Sequence, residues 1–503
     1  MSRSENILNR RGFLRGAGAL ATVAGSLSAL DAAQVKRAQP KNIIFMVADG
    51  MSAGVITLAD HFSERVRGKN LLWRSLMQRP AASNGLVDMS SLNSITTDSS
   101  AASSSWGSGS RIFNAAVNVL PDGTELTPIA SIARGLGKKV GVVTTVTVTH
   151  ATPAGFVAAT KSRNGEEDIA NQYLTKADVV LGGGRQFFDP ATRSDKKDMV
   201  GSFKQAGFTY CSNRSELMAA TPSLGGKKVL GLFSPSYIPF TLDRNYSKEL
   251  QETIPTLAEM TTAALAALKT SPKGFLLQVE GGRVDMAAHN NDAAGIMWDQ
   301  LAFDEAIEVV LKFAEQNPET LIVITTDHGN SNPGMTGRPA EIGRSGDGFD
   351  VLAKAKRTFE LGIMPKLNPK EKISAAALQE AVVETCGYEF SSDELEAVRT
   401  IGAGGKGVCV NKLLDKTVGI LGQAAGNHNG VGFCNADHTS DLTVLTALGP
   451  GSERFRGQIR NTRCFENMVD LMGSKFRNPS MTPEQARKFL QAATFKYDGM
   501  HWV

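Results

Sequence analysis

Four short apolar runs each lead into a side chain that can hold a cation. Asn42–Val47 (NIIFMV) is followed by Asp49, Phe275–Val279 (FLLQV) by Glu280, and Leu321–Thr325 (LIVIT) by the pair Asp327-His328. Val140–Thr145 (VGVVTT) reaches Thr152 through a short loop. One Asp after a strand is usually an N-cap or a turn residue. Several strands ending this way point to one shared site beyond their carboxyl ends, where ligands bind in open α/β sheets. After Glu280, Asp285 and His289 stand four apart, so a helix there puts both on one face and lets them chelate one ion. Of the seven histidines, His61 and His501 sit in polar or terminal contexts and read as solvent-facing. His438, in Asn435-Ala-Asp-His438-Thr-Ser440, precedes the apolar run Leu442–Leu448. Imidazole with carboxylate suits zinc, an all-oxygen set suits magnesium, and both kinds of set are present.

The nucleophile candidate is Ser99. It follows Asp98 and opens a Ser/Ala run compatible with a helix, ahead of Trp106 and the apolar stretch Arg111–Val119. A serine there lies at a helix N-terminus, where backbone N–H groups and the dipole favour an anion. The bland alternative is a low-complexity Ser-rich linker. A linker would not be expected to continue into Trp106 and an apolar, helix-compatible segment.

Elements of two kinds must position these groups. Apolar, β-branched runs alternate with amphipathic stretches, the pattern of an α/β protein with a largely parallel sheet. The 503 residues are 42% hydrophobic and 21% charged, which excludes disordered, collagen-like and coiled-coil classes. A net charge of +4 with no long basic run predicts neither a nucleic-acid partner nor a membrane patch. The five cysteines (Cys211, Cys386, Cys409, Cys434, Cys464) are too few and scattered for a disulfide scaffold or a zinc knuckle. At the N-terminus, Arg10-Arg11 before the weakly apolar run Gly16–Ala33 is the twin-arginine export pattern. It predicts a signal peptide over residues 1–33 and a periplasmic or secreted destination. The run is shorter than the roughly 20 residues of a membrane span, so no membrane anchor is expected.

Taken in order, a set of motifs resembles the alkaline phosphatases: Asp49-Gly-Met-Ser, Thr97-Asp98-Ser99, His150-Ala-Thr152-Pro-Ala, Ser162-Arg163, Glu280-Gly, Asp285 with His289, Thr326-Asp327-His328 and His438-Thr. Each is weak alone, but the ordered set is specific, and the resemblance covers nearly all of residues 40–345 and 436–475. It implies a three-layer sandwich of helices about a central, mostly parallel sheet. It also implies hydrolysis of small phosphate monoesters through a covalent phosphoserine at Ser99, assisted by two zinc ions and one magnesium. By the same resemblance, Asp285, His289 and His438 hold the first zinc, and Asp49, Asp327 and His328 the second. Magnesium takes Asp49, Thr152 and Glu280. Arg163 clamps two phosphate oxygens through its planar fork, Asp98 orients Arg163, and His150 contacts the magnesium's water shell. A homodimer is compatible with this family.

Some positions depart from the family pattern. Met286 stands where relatives often carry Lys or His; a thioether donates no charged hydrogen bond, which predicts weaker phosphate affinity and faster product release. The 110 residues from His328 to His438 are long for the family. Residues 346–435 are expected to be an inserted helical cap over the active site, with subunit contact as the alternative. Helix-like runs occur there at Ala375–Thr385, Asp393–Thr400 and Asn411–Val418, and residues 476–503 form a C-terminal tail. Cys386, Cys409 and Cys434 lie in or beside this segment, so one disulfide is expected there in an oxidising compartment. His428, in Gly-Asn-His-Asn-Gly, rivals His438 as the last zinc ligand. The spacing from His438 to Gly449-Pro450-Gly451 matches the family, and the setting of His428 reads as an exposed turn. The competing function is a phosphodiesterase or sulfatase of the same superfamily. Those diesterases generally lack the magnesium set, and Ser99-Ser-Ala-Ala-Ser does not match the sulfatase pattern Ser/Cys-x-Pro-x-Arg. A non-catalytic phosphate-binding relative would be expected to have lost the nucleophile or a ligand, and none is lost.

Overall fold

The computed structural model describes residues 39–337 and 342–490, so the signal segment read over residues 1–33 and the end of the C-terminal tail lie outside the described residues. Ten strands form one sheet: β1 (Asn42–Val47), β2 (Ser83–Asp88), β3 (Lys139–Thr147), β4 (Val179–Gly183), β5 (Phe208–Cys211), β6 (Lys228–Leu232), β7 (Phe275–Glu280), β8 (Thr320–Thr325), β9 (Thr443–Leu448) and β10 (Gly457–Arg460). Their order is β10-β2-β9-β8-β1-β7-β3-β4-β6-β5. Strand β9 is antiparallel to both its neighbours, β2 and β8, and the other pairings are parallel. The four runs singled out in the sequence are neighbours, β8-β1-β7-β3. Val47 pairs with both Glu280 and Thr325, and Thr144 with Glu280, so the carboxyl ends of these strands line up.

The helices that matter for the site are α1 (Ala53–Arg67), α2 (Ser99–Ser108), α3 (Ala151–Val157), α4 (Leu257–Leu268), α5 (Arg283–His289), α6 (Ala293–Gln316), α7 (Phe359–Gly362), α8 (Ala375–Cys386), α9 (Ser392–Gly402), α10 (Thr417–Asn429) and α11 (Asn461–Leu471). Because strand side chains alternate, β1 feeds two cores. Ile44 and Met46 pack with Phe62 of α1, Leu257 of α4 and Ile307 of α6. Ile43, Phe45 and Val47 pack with Trp106 of α2, Phe156 of α3 and Phe465 of α11. The sheet is thus covered on both faces, the three-layer sandwich expected of a largely parallel sheet. No helix among the described residues is long and apolar enough to cross a membrane.

Helices α7 to α10 gather around their own apolar cluster, which includes Ile363, Leu378, Val382, Phe390, Val398 and Leu421. Polar contacts tie this segment to the core. Thr358 donates to Asp243 from its backbone N (2.8 Å) and its hydroxyl (2.7 Å), and the Phe359 N donates to Asp292 at 2.8 Å. The helix expected over Asn411–Val418 does not form; α10 starts at Thr417. The Asp415 carboxylate instead accepts from the backbone N of Gly407, Val408 and Cys409, and Asn411 Oδ1 from that of Leu413, holding the stretch in turns. The disulfide expected here is absent, since all five cysteines are free. Cys386 is enclosed in the apolar cluster, while the Cys409 thiol donates to the Asn411 carbonyl at 3.1 Å.

Candidate active site

Ser99 is the first residue of α2, and Asp98 is its N-cap, accepting from the Ala101 N at 2.9 Å. The Ser-rich run is a fully buried helix rather than a linker. Its hydroxyls satisfy themselves within the helix: Ser104 donates to the Ser100 carbonyl (2.7 Å), Ser105 to that of Ala101 (3.0 Å) and Ser108 to that of Ser104 (2.8 Å). Beside it runs α3, packed so closely that a Cβ at Gly107 would collide with the Gly155 carbonyl. Helix α3 carries Thr152, whose hydroxyl donates to Asp49 Oδ2 at 2.8 Å.

Three sets of potential ligand atoms converge at the strand ends: Asp285, His289 and His438; Asp49, Asp327 and His328; and Asp49, His150 and Glu280. Within each set these atoms lie within 4.8 Å of one another, and Asp49 belongs to two sets. The sequence-based zinc triads are therefore brought together residue for residue, and His150 joins Asp49 and Glu280 beside Thr152. Three imidazoles face backbone carbonyls with Nδ1: His289 that of Ala436 (2.9 Å), His438 that of Thr97 (2.8 Å) and His328 that of Gly329 (3.2 Å). Donation from Nδ1 fixes the tautomer and leaves Nε2 as a lone pair directed into the site. The Nε2 atoms of His289 and His438 are 3.1 Å apart, and His328 Nε2 lies 3.2 Å from Ser99 Oγ and 2.9 Å from Asp327 Oδ2.

The carboxylates gathered around these rings repel one another. Asp49 Oδ1, both oxygens of Glu280, Asp285 Oδ2 and Asp327 Oδ2 are buried without a hydrogen-bond donor. Burial, reinforced by Asp327 and Asp285, pushes Asp49 well above the ordinary carboxylate range. Burial and Asp49 do the same to Glu280, and burial with Asp285 lifts Asp327 to about 7. Burial drives the imidazoles the other way, His328 to about 4 and His438 to about 3. Neutral imidazoles interleaved with donor-free carboxylates are the donor chemistry that divalent cations bind, so these residues fit the metals implied by the sequence.

At the edge of this cluster, Arg163 Nη1 donates to Asp98 Oδ2 at 3.2 Å and Nη2 to His150 Nε2 at 3.0 Å. Although burial opposes it, Arg163 and the donors Ala101 N and Ser100 Oγ hold Asp98 below its usual value. Burial and the neighbouring Arg163 keep His150 neutral, at about 3. His428 lies elsewhere, in the last turn of α10 rather than in an exposed turn. It bonds Glu394 Oε2 at 2.9 Å, and its ring stacks on Tyr388 and Phe390. The following Gly430, at φ 77°, ends the helix.

Two residues at the site carried no assignment from sequence. Asn330 donates to Asp285 Oδ1 at 2.7 Å; its place two residues after His328 was the available signal. Glu166 Oε2 accepts from the hydroxyls of Thr147 and Thr149, each at 2.6 Å, and so braces the loop that presents His150.

The alkaline phosphatase family model matches residues 40–473. Alkaline phosphatase 4 of Bacillus subtilis is 29% identical over 436 residues, covering 85% of this chain and 87% of that protein. The crystal structure of Thermus thermophilus alkaline phosphatase is similar with a TM-score of 0.84 at 33% identity, covering 91% of this chain and 96% of that one. That of a cold-active alkaline phosphatase from a psychrophilic Shewanella has a TM-score of 0.69 at 27% identity, covering 86% and 99%. The family is metal-dependent and acts on small phosphate esters. A match over most of the chain, on a sheet whose ends gather candidate metal-binding groups around a serine, means that this chain belongs to the alkaline phosphatase family and is a phosphomonoester hydrolase.

Proposed function

We propose that the chain hydrolyses phosphate monoesters through a covalent phosphoserine at Ser99. The observation that carries this is the convergence of imidazole Nε2 atoms and donor-free carboxylates on the site that holds Ser99 Oγ, with Arg163 bonded to Asp98, the N-cap of the same helix. Asp285, His289 and His438 would hold one zinc, Asp49, Asp327 and His328 the other, and Asp49, Thr152 and Glu280 a magnesium with His150 beside its water shell. Bound metal supplies Lewis acidity toward the phosphoryl oxygens and lowers the pKa of the serine hydroxyl. Arg163 receives two non-bridging oxygens in its fork, held in place by Asp98. Ser99 Oγ forms its bond to phosphorus as the bond to the ester oxygen breaks, and the departing alcohol takes up a proton. Water then cleaves the phosphoserine, releasing phosphate and restoring the hydroxyl. Residues 346–435 are proposed to cap the site, and Arg10-Arg11 supports export by the twin-arginine route.

The test is release of an aryl alcohol from its phosphate monoester, with and without chelator, beside an aryl phosphodiester. We expect metal-dependent monoester cleavage and little diester cleavage; the reverse preference would favour a diesterase. Ser99→Ala should lower kcat by about 10³-fold or more with the fold retained, and phosphate trapped in acid should label Ser99. Arg163→Ala should cost roughly 10–100-fold, because its contacts exist before and during the reaction.

A further inference from the structure

A cavity of about 310 Å³ opens beside the catalytic cluster, bounded by Tyr237, Arg283, Met286 and His289 of the core and by Met364 and Pro365 of the 346–435 segment. Resting on the phosphomonoesterase reading above, we infer that this cavity receives the alcohol portion of the substrate and selects phosphate esters whose leaving group carries an apolar ring.

Position is the first argument. From Ser99 Oγ, His328 Nε2 is 3.2 Å away, the His328 ring stacks on His438 at 3.6 Å, and His438 Nε2 is 3.1 Å from His289 Nε2. This row of rings leads away from the nucleophile and ends at the cavity wall. In an in-line displacement the ester oxygen departs on the side away from the attacking oxygen. Tyr237, also on the wall, reaches toward the phosphate clamp: its ring meets His150 edge-on at 6.2 Å, and His150 accepts from Arg163.

The lining is the second argument. Most polar groups on the wall are engaged with one another: Arg283 Nη2 donates to Glu360 Oε1 at 2.8 Å, and Asn290 Nδ2 to Glu360 Oε2 at 3.4 Å, while the buried Arg283 Nε has no hydrogen-bond partner. The Arg283 guanidinium also lies over the Phe240 ring, 3.4 Å from its centroid. What the cavity offers a ligand is therefore mainly the two thioethers, the proline and the tyrosine ring. Met286 adds an apolar thioether to the core side of the cavity. The volume suits one ring and its linker, at the small end of ligand pockets. A polyol would lose its water there and find few partners in return.

The experiment compares 2-phenylethyl phosphate with ethyl phosphate, two primary alkyl esters that differ in the ring, using the metal-loaded full chain. The ratio of their kcat/KM values does not depend on how much of a preparation is folded. We expect a ratio of about ten or more in the wild-type chain, the scale of burying one apolar group. Met364→Asp and, separately, Tyr237→Ala should bring it close to one. Calorimetric affinities of the matching phosphonates, which cannot turn over, should show the same preference and the same loss. Ethyl phosphate cleaved as efficiently as the phenyl ester, or a ratio that Met364→Asp and Tyr237→Ala leave untouched, would overturn the inference while leaving the hydrolase intact. No cleavage of either ester would remove the phosphomonoesterase reading and this inference with it.

Discussion

Ser99 and the three imidazoles around it are ordinary side chains whose chemistry is set by what each second atom touches. His438 has its Nδ1 on the Thr97 carbonyl and its Nε2 toward His289, so His438→Ala removes a donor that no neighbour can replace. We expect it to lose about one zinc of two and to slow turnover, because a zinc with two protein ligands falls short of the usual set. His428→Ala should keep both metals and lower only the stability of the helical segment, since that ring packs on Tyr388 and Phe390. Metal analysis of the two variants decides; zinc lost from His428→Ala alone would reverse the assignment. Asp299 tests a different residue-scale effect. Burial lifts its carboxyl to about 7, with Thr241 donating to it at 2.9 and 3.2 Å. A carboxyl raised in the folded state binds its proton there while the unfolded chain has released it, so stability falls as pH rises from about 4 to about 7 and is flat above. Asp299→Asn lacks that slope. The melting temperature of Asp299→Asn relative to wild type should therefore be higher at pH 8 than at pH 5; an unchanged difference would mean the carboxyl is not raised.

At the scale of elements, the site depends on how closely α2 approaches α3. Glycines face the contact from both sides, Gly107 against the Gly155 backbone and Gly155 against Ser103. Gly107→Ala should cost about 1–3 kcal/mol by overpacking and should also reduce kcat, because the two helices carry Ser99 and Thr152. The exposed helical Gly135, where a Cβ meets nothing within 4 Å, is the control; Gly135→Ala should be neutral or slightly stabilising in thermal melts. The elements themselves were legible to different degrees. Strands β1, β3, β7 and β8 are buried on both faces, so they appear as unbroken apolar runs and their limits read to within a residue or two. The turns over 411–416 read as a helix in the sequence because the side-chain bonds at work there, Asp415 to the backbone of 407–409 and Asn411 to that of Leu413, leave no periodic signature. His428 was misjudged because a glycine-flanked Asn-His-Asn describes a helix end as well as it describes a turn. The metal-binding side chains were legible from type and order. The carbonyls of Thr97, Ala436 and Gly329 that set their tautomers were not, since any residue supplies a carbonyl.

Across the whole molecule, the candidate ligands come from chain positions as far apart as Asp49 and His438, and the cations they bind would join segments that otherwise meet through repelling carboxylates. Chelation should therefore lower the melting temperature as well as abolish activity, and zinc plus magnesium should restore both. A chelated protein with an unchanged melting temperature would separate metal from stability. The sheet order bears on how such a molecule comes into being. Strand β9 starts five residues after His438 and wedges between β8 and β2, so the edge pair β2 and β10 cannot join the sheet until residues 443–448 have been made. Pairings this distant in sequence are slow to form and leave sticky edges exposed while they wait. On the ribosome, His438 and the strand that joins the two parts of the sheet emerge almost together, so a nascent chain reaches a loadable site no earlier than the moment this strand can pair.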